Sequence, residues 1–385
     1  MVQDAQAFGD STASVSIDQS LERTPIEELR VLEEDGASVG LLLARFHRMF
    51  WGGRPVAASQ LSGLSIGAEH RGRGAASELL RAYLEEEAHD RGVSVCTLFP
   101  ATVPLYRRAG YEYAGTWTLY AAGARHLPHD WPGGYLARPG PADDPAPLQE
   151  RFARLAPLRN GQVERDTAWW LQDLLADLGH GPPQVFLIDG PDGPDGWAIL
   201  KLSEQVTGTD VAVTVQVIDW DAATEGGWRS LLALAAGFAS LDATVNWKGP
   251  EPEPLALLLR EQDIRQIRQQ RWMLRVVDVP TAFSARAYPA RLAGRLTIRV
   301  ADRVCPWVDG TWSIEVEQGE GKAARVVEEE GAARTTAGGL AALFAGYLEP
   351  RRLAELGLVQ GLTAADFEFL EAVHAGPRPW SPDFY

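Results

Sequence analysis

At 385 residues the chain is too long for one ordinary core, so two or three domains are expected. Its 36 Lys and Arg against 52 Asp and Glu leave a net charge of −16, which disfavours nucleic acid and anionic membranes as partners. That charge is compatible with a cationic substrate, and equally with simple solubility. Cys96 and Cys305 are the only cysteines and form neither a disulfide framework nor a metal cluster, which points to a reduced, cytosolic setting. The first 30 residues hold no apolar run resembling a secretory signal, and the longest apolar candidate, Val39 to Phe46, is far too short to cross a bilayer.

Met1 to Arg30 is polar, with a short helix expected at Glu22 to Glu28. Val31-Leu32 and Val39 to His47 read as strands around the Glu33-Glu34-Asp35-Gly36 turn, and Phe50 to Arg54 is a second turn. Val56 to Ile66 is a third strand. It feeds Arg71-Gly72-Arg73-Gly74-Ala75-Ala76, which opens a helix whose apolar face is Ala76, Leu79, Leu80, Tyr83 and Leu84. Val93 to Phe99 is apolar on both faces and is expected to be a central strand. Tyr106 follows just beyond it, and Gly110-Tyr111 turn the chain into a strand at Thr116 to Ala121.

Strand, basic glycine turn and helix N-terminus together form an anion-binding arrangement. The first helical turn has free N–H donors, the glycines permit close approach, and Arg71 and Arg73 add charge. The spacing is neither GxxxxGK[ST] nor GxGxxG, so the P-loop and dinucleotide readings fail. It resembles the R/Q-x-x-G-x-G/A motif of the GNAT N-acetyltransferases, met by Arg71, Gly74 and Ala76. That resemblance implies acetyl-CoA as co-substrate, with its pyrophosphate on the turn and its pantetheine arm and thioester along Leu64, Ser65 and Ile66. It also implies that Tyr106, in Leu105-Tyr106-Arg107-Arg108-Ala109-Gly110-Tyr111, protonates the leaving thiolate. The implied cofactor contacts are Leu64, Ser65, Ile66, Arg71, Gly72, Arg73, Gly74, Ala75, Ala76, Ser77, Ala101 and Thr102.

Leu127 to Pro145 is rich in Pro and Gly and reads as an interdomain linker. Beyond it Leu148 to Leu158 and Ala168 to Leu178 read as helices. Val185 to Ile188, Trp197 to Leu202 and Val211 to Ile218 read as strands, Trp228 to Ser240 as a helix and Thr244 to Trp247 as a strand. This repeats the order of the first domain. The matching turn, Asp219 to Gly227, carries three carboxylates where the first carries two arginines, so it is expected to repel an anion and to be a copy without acetyl-CoA. After Asp278-Val279-Pro280 a smaller α+β domain is expected. Its strands are Leu296 to Val300 and, after an Asp309-Gly310 hairpin signal, Trp312 to Val316, with a third at Val326 to Glu329; two helices carry Leu340 to Leu348 and Phe367 to Val373. Pro377 to Tyr385 is proline-rich and extended.

The whole layout resembles the Eis-type (enhanced intracellular survival) acetyltransferases, on the Glu69-to-Gly74 turn, the Tyr106-to-Tyr111 segment, the Trp272-to-Tyr288 junction and an aromatic last residue. The resemblance implies an α/β (α+β) fold class. An acetyl-CoA-binding GNAT domain at 1–125 and a linker at 126–146 precede a degenerate GNAT-like domain at 147–285. A sterol-carrier-protein-like domain at 286–385 would supply the terminal carboxylate. It implies a cytoplasmic homo-oligomer, a hexamer in that family, and acetylation of an aminoglycoside, polyamine or lysine-like amine with Tyr106 as general acid and the Tyr385 α-carboxylate as general base. A free α-carboxyl, with pKa about 3.3–3.7, is a poor base in water. Burial raises that value, and an ordered water can relay the proton. The histidines show no metal-ligand spacing, so no metal is expected. Phe50, Trp51 and Trp117 are candidates for an acceptor pocket, although aromatic residues beside turns are more often core. The alternatives are a longer-chain or single-acceptor acyltransferase and a non-catalytic drug or lipid binder.

Overall fold

In the computed structural model, residues 28–129, 134–177, 182–207, 210–259, 261–327 and 331–384 are described. The expected helix at Glu22 to Glu28 falls almost wholly outside them, as does Tyr385. Three strands joined by two tight turns come first: β1 (Leu29–Glu34), β2 (Ala37–Trp51) and β3 (Arg54–Ile66). Asp35 and Gly36 (φ 51° and 78°) and Gly52 and Gly53 (φ 62° and 98°) supply the paired positive φ that two-residue hairpins require. A Cβ on Gly52 would also collide with the Ala287 carbonyl.

Helix α1 (Ala75–Ala82) continues into a wide turn at Tyr83–Ala88, followed by β4 (Val95–Leu98), α2 (Val103–Arg108) and β5 (Glu112–Gly123). Then come β6 (Ala137–Pro139), α3 (Ala146–Leu155), β7 (Gln184–Gly190), β8 (Gly193–Thr207), β9 (Asp210–Ala222), α4 (Glu225–Ala236), β10 (Thr244–Gly249) and β11 (Arg265–Val276). The last part holds α5 (Val279–Ala285), β12 (Gly294–Ala301), β13 (Gly310–Glu317), β14 (Glu320–Val326), β15 (Ala333–Thr336), α6 (Ala337–Ala345), α7 (Pro350–Glu355), β16 (Val359–Gln360) and α8 (Ala364–Val373).

The chain divides into two compact units, one holding the residues up to Gly115 with Arg271–Pro377, the other Thr116–Gln270 with Arg378–Phe384. In the first unit one sheet runs β1-β2-β3-β4-β11, with β4 parallel to β3 and antiparallel to β11. All of β4 is buried, as its apolar sequence requires. A second sheet runs β14-β13-β12-β15-β16 and is backed by α6, every residue of which is buried. Trp51 ties the two parts, with its ring 6.3 Å from Trp272 and 5.2 Å from Phe344. In the second unit the order is β5-β10-β9-β8-β7-β6, around a core that includes Trp220, Leu231, Val245 and Trp247.

Several expectations need correction. Part of the expected linker, Ala137–Pro139, is an edge strand paired with β7. The tight hairpin of the last domain is not at Asp309-Gly310 but at Gln318-Gly319 (φ 53° and 83°), joining β13 to β14. Asp309 instead closes the loop after β12 by accepting from Arg299 and from the Asp302 N–H. The third strand of that domain ends at Val326 rather than starting there. The acidic turn is not a turn at its acidic end. Asp219 and Asp221 lie inside β9, and only Ala223 and Thr224 separate it from α4. Those two carboxylates pair with Arg165 and Arg159, and Glu225 pairs with Arg229, so the expected repulsion is balanced within the fold, and the connection is shorter than the one between β3 and α1. Thr224 caps α4 at Gly227, and Asp195 packs where a Gly227 Cβ would stand, so this helix start is filled from within.

Two histidines of the first unit are held neutral by burial, His47 pushed down to about 3 and His374 to about 4. His374 Nε2 donates to the Leu343 carbonyl at 2.7 Å. An unfolded chain takes up these protons near pH 6.5, so stability is full above that pH and is lost as pH falls toward 4. Going from pH 7 to pH 5 is expected to cost about 2 kcal/mol per histidine. His374→Gln should lose about 2 kcal/mol less than the native chain over the same pH step, read from the thermal midpoints at the two pH values. An equal fall in the variant contradicts this assignment.

Candidate active site

The site is built where β3 outruns its neighbour. β3 pairs with β4 from Ala58↔Val95 to Leu61↔Leu98, then continues through Leu64, Ser65 and Ile66 paired with β2 alone. Ser62 is the extra residue of a bulge, since pairing with β2 passes from Leu61↔Ala44 to Gly63↔Leu43. A bulge bends its strand, and beyond it the edge of β3 that faced β4 has backbone groups to offer a ligand. Ala101 and Thr102 follow β4, with Thr102 as the residue before α2.

At the end of β3, Gly67 N–H donates to Val39 O at 3.0 Å and Arg71 Nε donates back to Ile66 O at 3.0 Å, fixing the start of the turn. Gly72 and Gly74 have φ of 76° and 94°, a region that disfavours side chains. A Cβ on either would meet nothing within 4 Å, so the space in front of them is open. Gly74 precedes α1 with no side-chain cap, and Ala75 and Ala76 stand at the helix start, where N–H groups lack intrahelical acceptors. Arg73 and Ser77 are exposed beside them. The result is a pocket of backbone donors at the positive end of a helix, suited to a phosphate.

Helices α1 and α2 flank a cleft of about 470 Å³ lined by Ser77, Glu78, Arg81, Leu105, Arg108 and, from the loop after β12, Val304. Arg81 is paired with Glu85 at 2.7 Å, whereas Arg108 stands exposed at the cleft. Tyr106 lies on α2 and is 6% exposed, its ring 6.0 Å from Tyr111 in edge contact. Burial pushes its hydroxyl up to about 12, so it stays protonated through the physiological range.

A buried arginine that sequence reasoning did not single out anchors α2. Arg275 on β11 is fully buried, donates to the carbonyl of Ala109 just after α2 and pairs with Asp302 after β12. Asp302 in turn accepts from the N–H groups of Val304 and Cys305. Gly110 (φ 83°) must be glycine, because a Cβ there would strike the Arg275 guanidinium. The available signal was a single cation within the apolar run Trp272 to Val277. Both cysteines are buried free thiols, pushed up by burial to about 12 for Cys96 and about 11 for Cys305. Of the candidate pocket aromatics, Phe50 and Trp51 are core residues, and Trp117 is buried with its Nε1 donating to Pro382 O at 3.1 Å.

The structure thus brings Leu64 to Ile66, the Arg71-to-Ser77 cradle, Ala101, Thr102 and Tyr106 into one unit, while Tyr385 lies outside the described residues. The sequence matches the acetyltransferase (GNAT) domain family twice, over residues 3–114 and 161–276, and the sterol carrier protein domain family over 279–382. An uncharacterized N-acetyltransferase of Streptomyces griseus is 29% identical over 356 residues, covering 87% of this chain and 83% of the relative. A GCN5-related N-acetyltransferase from Anabaena variabilis, solved as a crystal structure, is similar over 100% of this chain and 96% of its own, with TM-score 0.91 and 27% identity. Eis1 from Mycobacterium abscessus shares the fold with TM-score 0.77 at 21% identity, over 95% of this chain and 92% of that one.

Proposed function

Because this chain is a GNAT-superfamily acetyltransferase, with two GNAT domains followed by a sterol carrier protein domain, we propose that its first GNAT domain transfers acetyl from acetyl-CoA to a primary amine of a cationic small molecule. The amine attacks the thioester directly. An aminoglycoside, a polyamine or a lysine-bearing peptide is the acceptor class, and the enzyme works as a cytoplasmic hexamer, as the Eis-type resemblance implies. The observation that carries the reading is the open glycine cradle at the start of α1, next to a β3 edge free of β4 and in the same unit as the buried Tyr106 hydroxyl.

In this reading the N–H groups at Ala75 and Ala76, with Arg73, hold the pyrophosphate, and the nucleotide end lies in the α1–α2 cleft beside Arg108. Backbone groups of Leu64 to Ile66 hold the pantetheine arm and polarise the thioester carbonyl. Tyr106 donates its proton to the departing sulfur, and the Tyr385 α-carboxylate receives the proton of the amine. Among the described residues, the apolar space between Phe283, Leu296, Leu340 and Phe369 is about 20 Å³, enough for one water.

Charge reversal tests the cradle. Arg73→Glu is expected to raise the KM for acetyl-CoA by about tenfold or more, the scale of removing one favourable charge and adding a repulsive one. The effect should shrink at high salt, with kcat changed little. An unchanged KM moves the phosphate site elsewhere. Running propionyl- and longer acyl-CoA in the same assay separates acetyl transfer from longer-chain chemistry.

A further inference from the structure

The second GNAT fold repeats the strand geometry of the first. In β9, Ile218 is the extra residue of a bulge, pairing with β8 passing from Val217↔Leu200 to Asp219↔Ile199, just as Ser62 is in β3. Each strand also leaves its parallel neighbour before the bulge, β3 at Leu61 and β9 at Gln216, so each fold opens a wedge there. Asp219 occupies the position of Gly63. In the second fold the wedge is filled. Lys248, on β10, reaches across to the Ile218 carbonyl at 3.1 Å. Arg165 is buried and donates to Asp219 (2.7 and 3.4 Å) and to Asp383 (3.2 and 3.0 Å), with its guanidinium over Phe152 and Trp170. Trp197 Nε1 donates to the same Asp219 at 3.0 Å.

Asp383 belongs to the final segment, which is bound from Pro379 to Asp383. β10 pairs with β5 as far as Gly249↔Thr118, and the segment takes over on β5 with Trp380 beside Thr116. Ser381 N–H donates to Thr116 O at 3.0 Å, Trp380 N–H to Asn160 O at 3.1 Å and Trp117 Nε1 to Pro382 O at 3.1 Å. Gln162 Nε2 reaches Trp380 O at 3.3 Å. Two cations, Arg165 and Lys248, face two carboxylates, Asp219 and Asp383, so the buried charge is balanced only when the segment is in place.

We propose that the wedge of the second GNAT fold is a holding site for the chain's own final segment, with Arg165 as its positioning residue. A fold whose helix start is filled from within thereby keeps a task, which is to fix Pro379 to Asp383, the stretch that leads into Tyr385. This rests on the reading of the Tyr385 carboxylate as general base, and the test separates the two. Arg165→Met risks misfolding, so the full chain carrying Asp383→Asn, which keeps the side-chain shape, is compared with Trp117→Phe, which deletes one N–H. Native protein is treated with a carboxypeptidase that removes C-terminal aromatic residues, and kcat and KM are measured in parallel. In both variants release of Tyr385 is expected to speed up, at least tenfold in Asp383→Asn. In that variant kcat should fall tenfold or more and KM for acetyl-CoA should stay within twofold. Release at the wild-type rate overturns the holding site. Faster release with kcat unchanged overturns the general-base reading and with it the positioning role.

Discussion

Tyr106→Phe is expected to lower kcat by about two to three orders of magnitude, the usual scale for losing a general acid. KM for acetyl-CoA should stay within about twofold, because the variant removes one oxygen and touches neither the cradle nor the β3 edge. The ring and its edge contact with Tyr111 at 6.0 Å remain, so stability should change little. The pH dependence follows from burial. The phenol is raised to about 12, so its ionisation does not close the enzyme's activity in the alkaline range below that value. A basic limb near pH 10 that disappears in the Phe variant would contradict that environment. A kcat within threefold of wild type would remove Tyr106 from the chemistry.

The second large effect concerns Arg275. Arg275→Met leaves the Asp302 carboxylate buried without its cation and the Ala109 carbonyl without its donor. Removing one partner of a buried ion pair costs about 3–5 kcal/mol, a fall of roughly 10 °C in the thermal midpoint of a unit this size. Adding Asp302→Asn should recover part of that loss, because the orphaned charge goes with it. Since Ala109 follows α2 directly, Arg275→Lys, which keeps the charge but not the fork, should lower kcat more than it lowers stability. Equal melting curves for wild type and Arg275→Met would show that the pair carries no such energy.

Much of this arrangement was legible in the residue order. The Arg71-to-Ala76 turn after a strand, the buried β4 and the Tyr106 segment all rest on local chemistry and short periodicities. What was missed depends on distant partners. Asp219 and Asp221 read as a repelling turn because their cations, Arg165 and Arg159, lie 54 and 62 residues earlier in the chain. Arg275 meets Ala109 across 166 residues, which no periodicity announces. Helix α2 has only six residues, too few to show a helical repeat, and its Pro104 sits harmlessly in the first turn. The three-residue β6 sits in a Pro-Gly run and exists because β7 offers it an edge. In the last domain, Asp309-Gly310 looked like a hairpin signal, yet the aspartate serves the loop behind it and the true turn uses Gln318-Gly319.

The most direct measurement is thiol release from acetyl-CoA by the full chain over a panel of primary amines, with the acetylated amine identified by mass. The account predicts release that depends on the amine, matches product one for one and collapses in Tyr106→Phe. Ligand binding without thiol release by any amine, or release equally fast with the Phe variant, would contradict it.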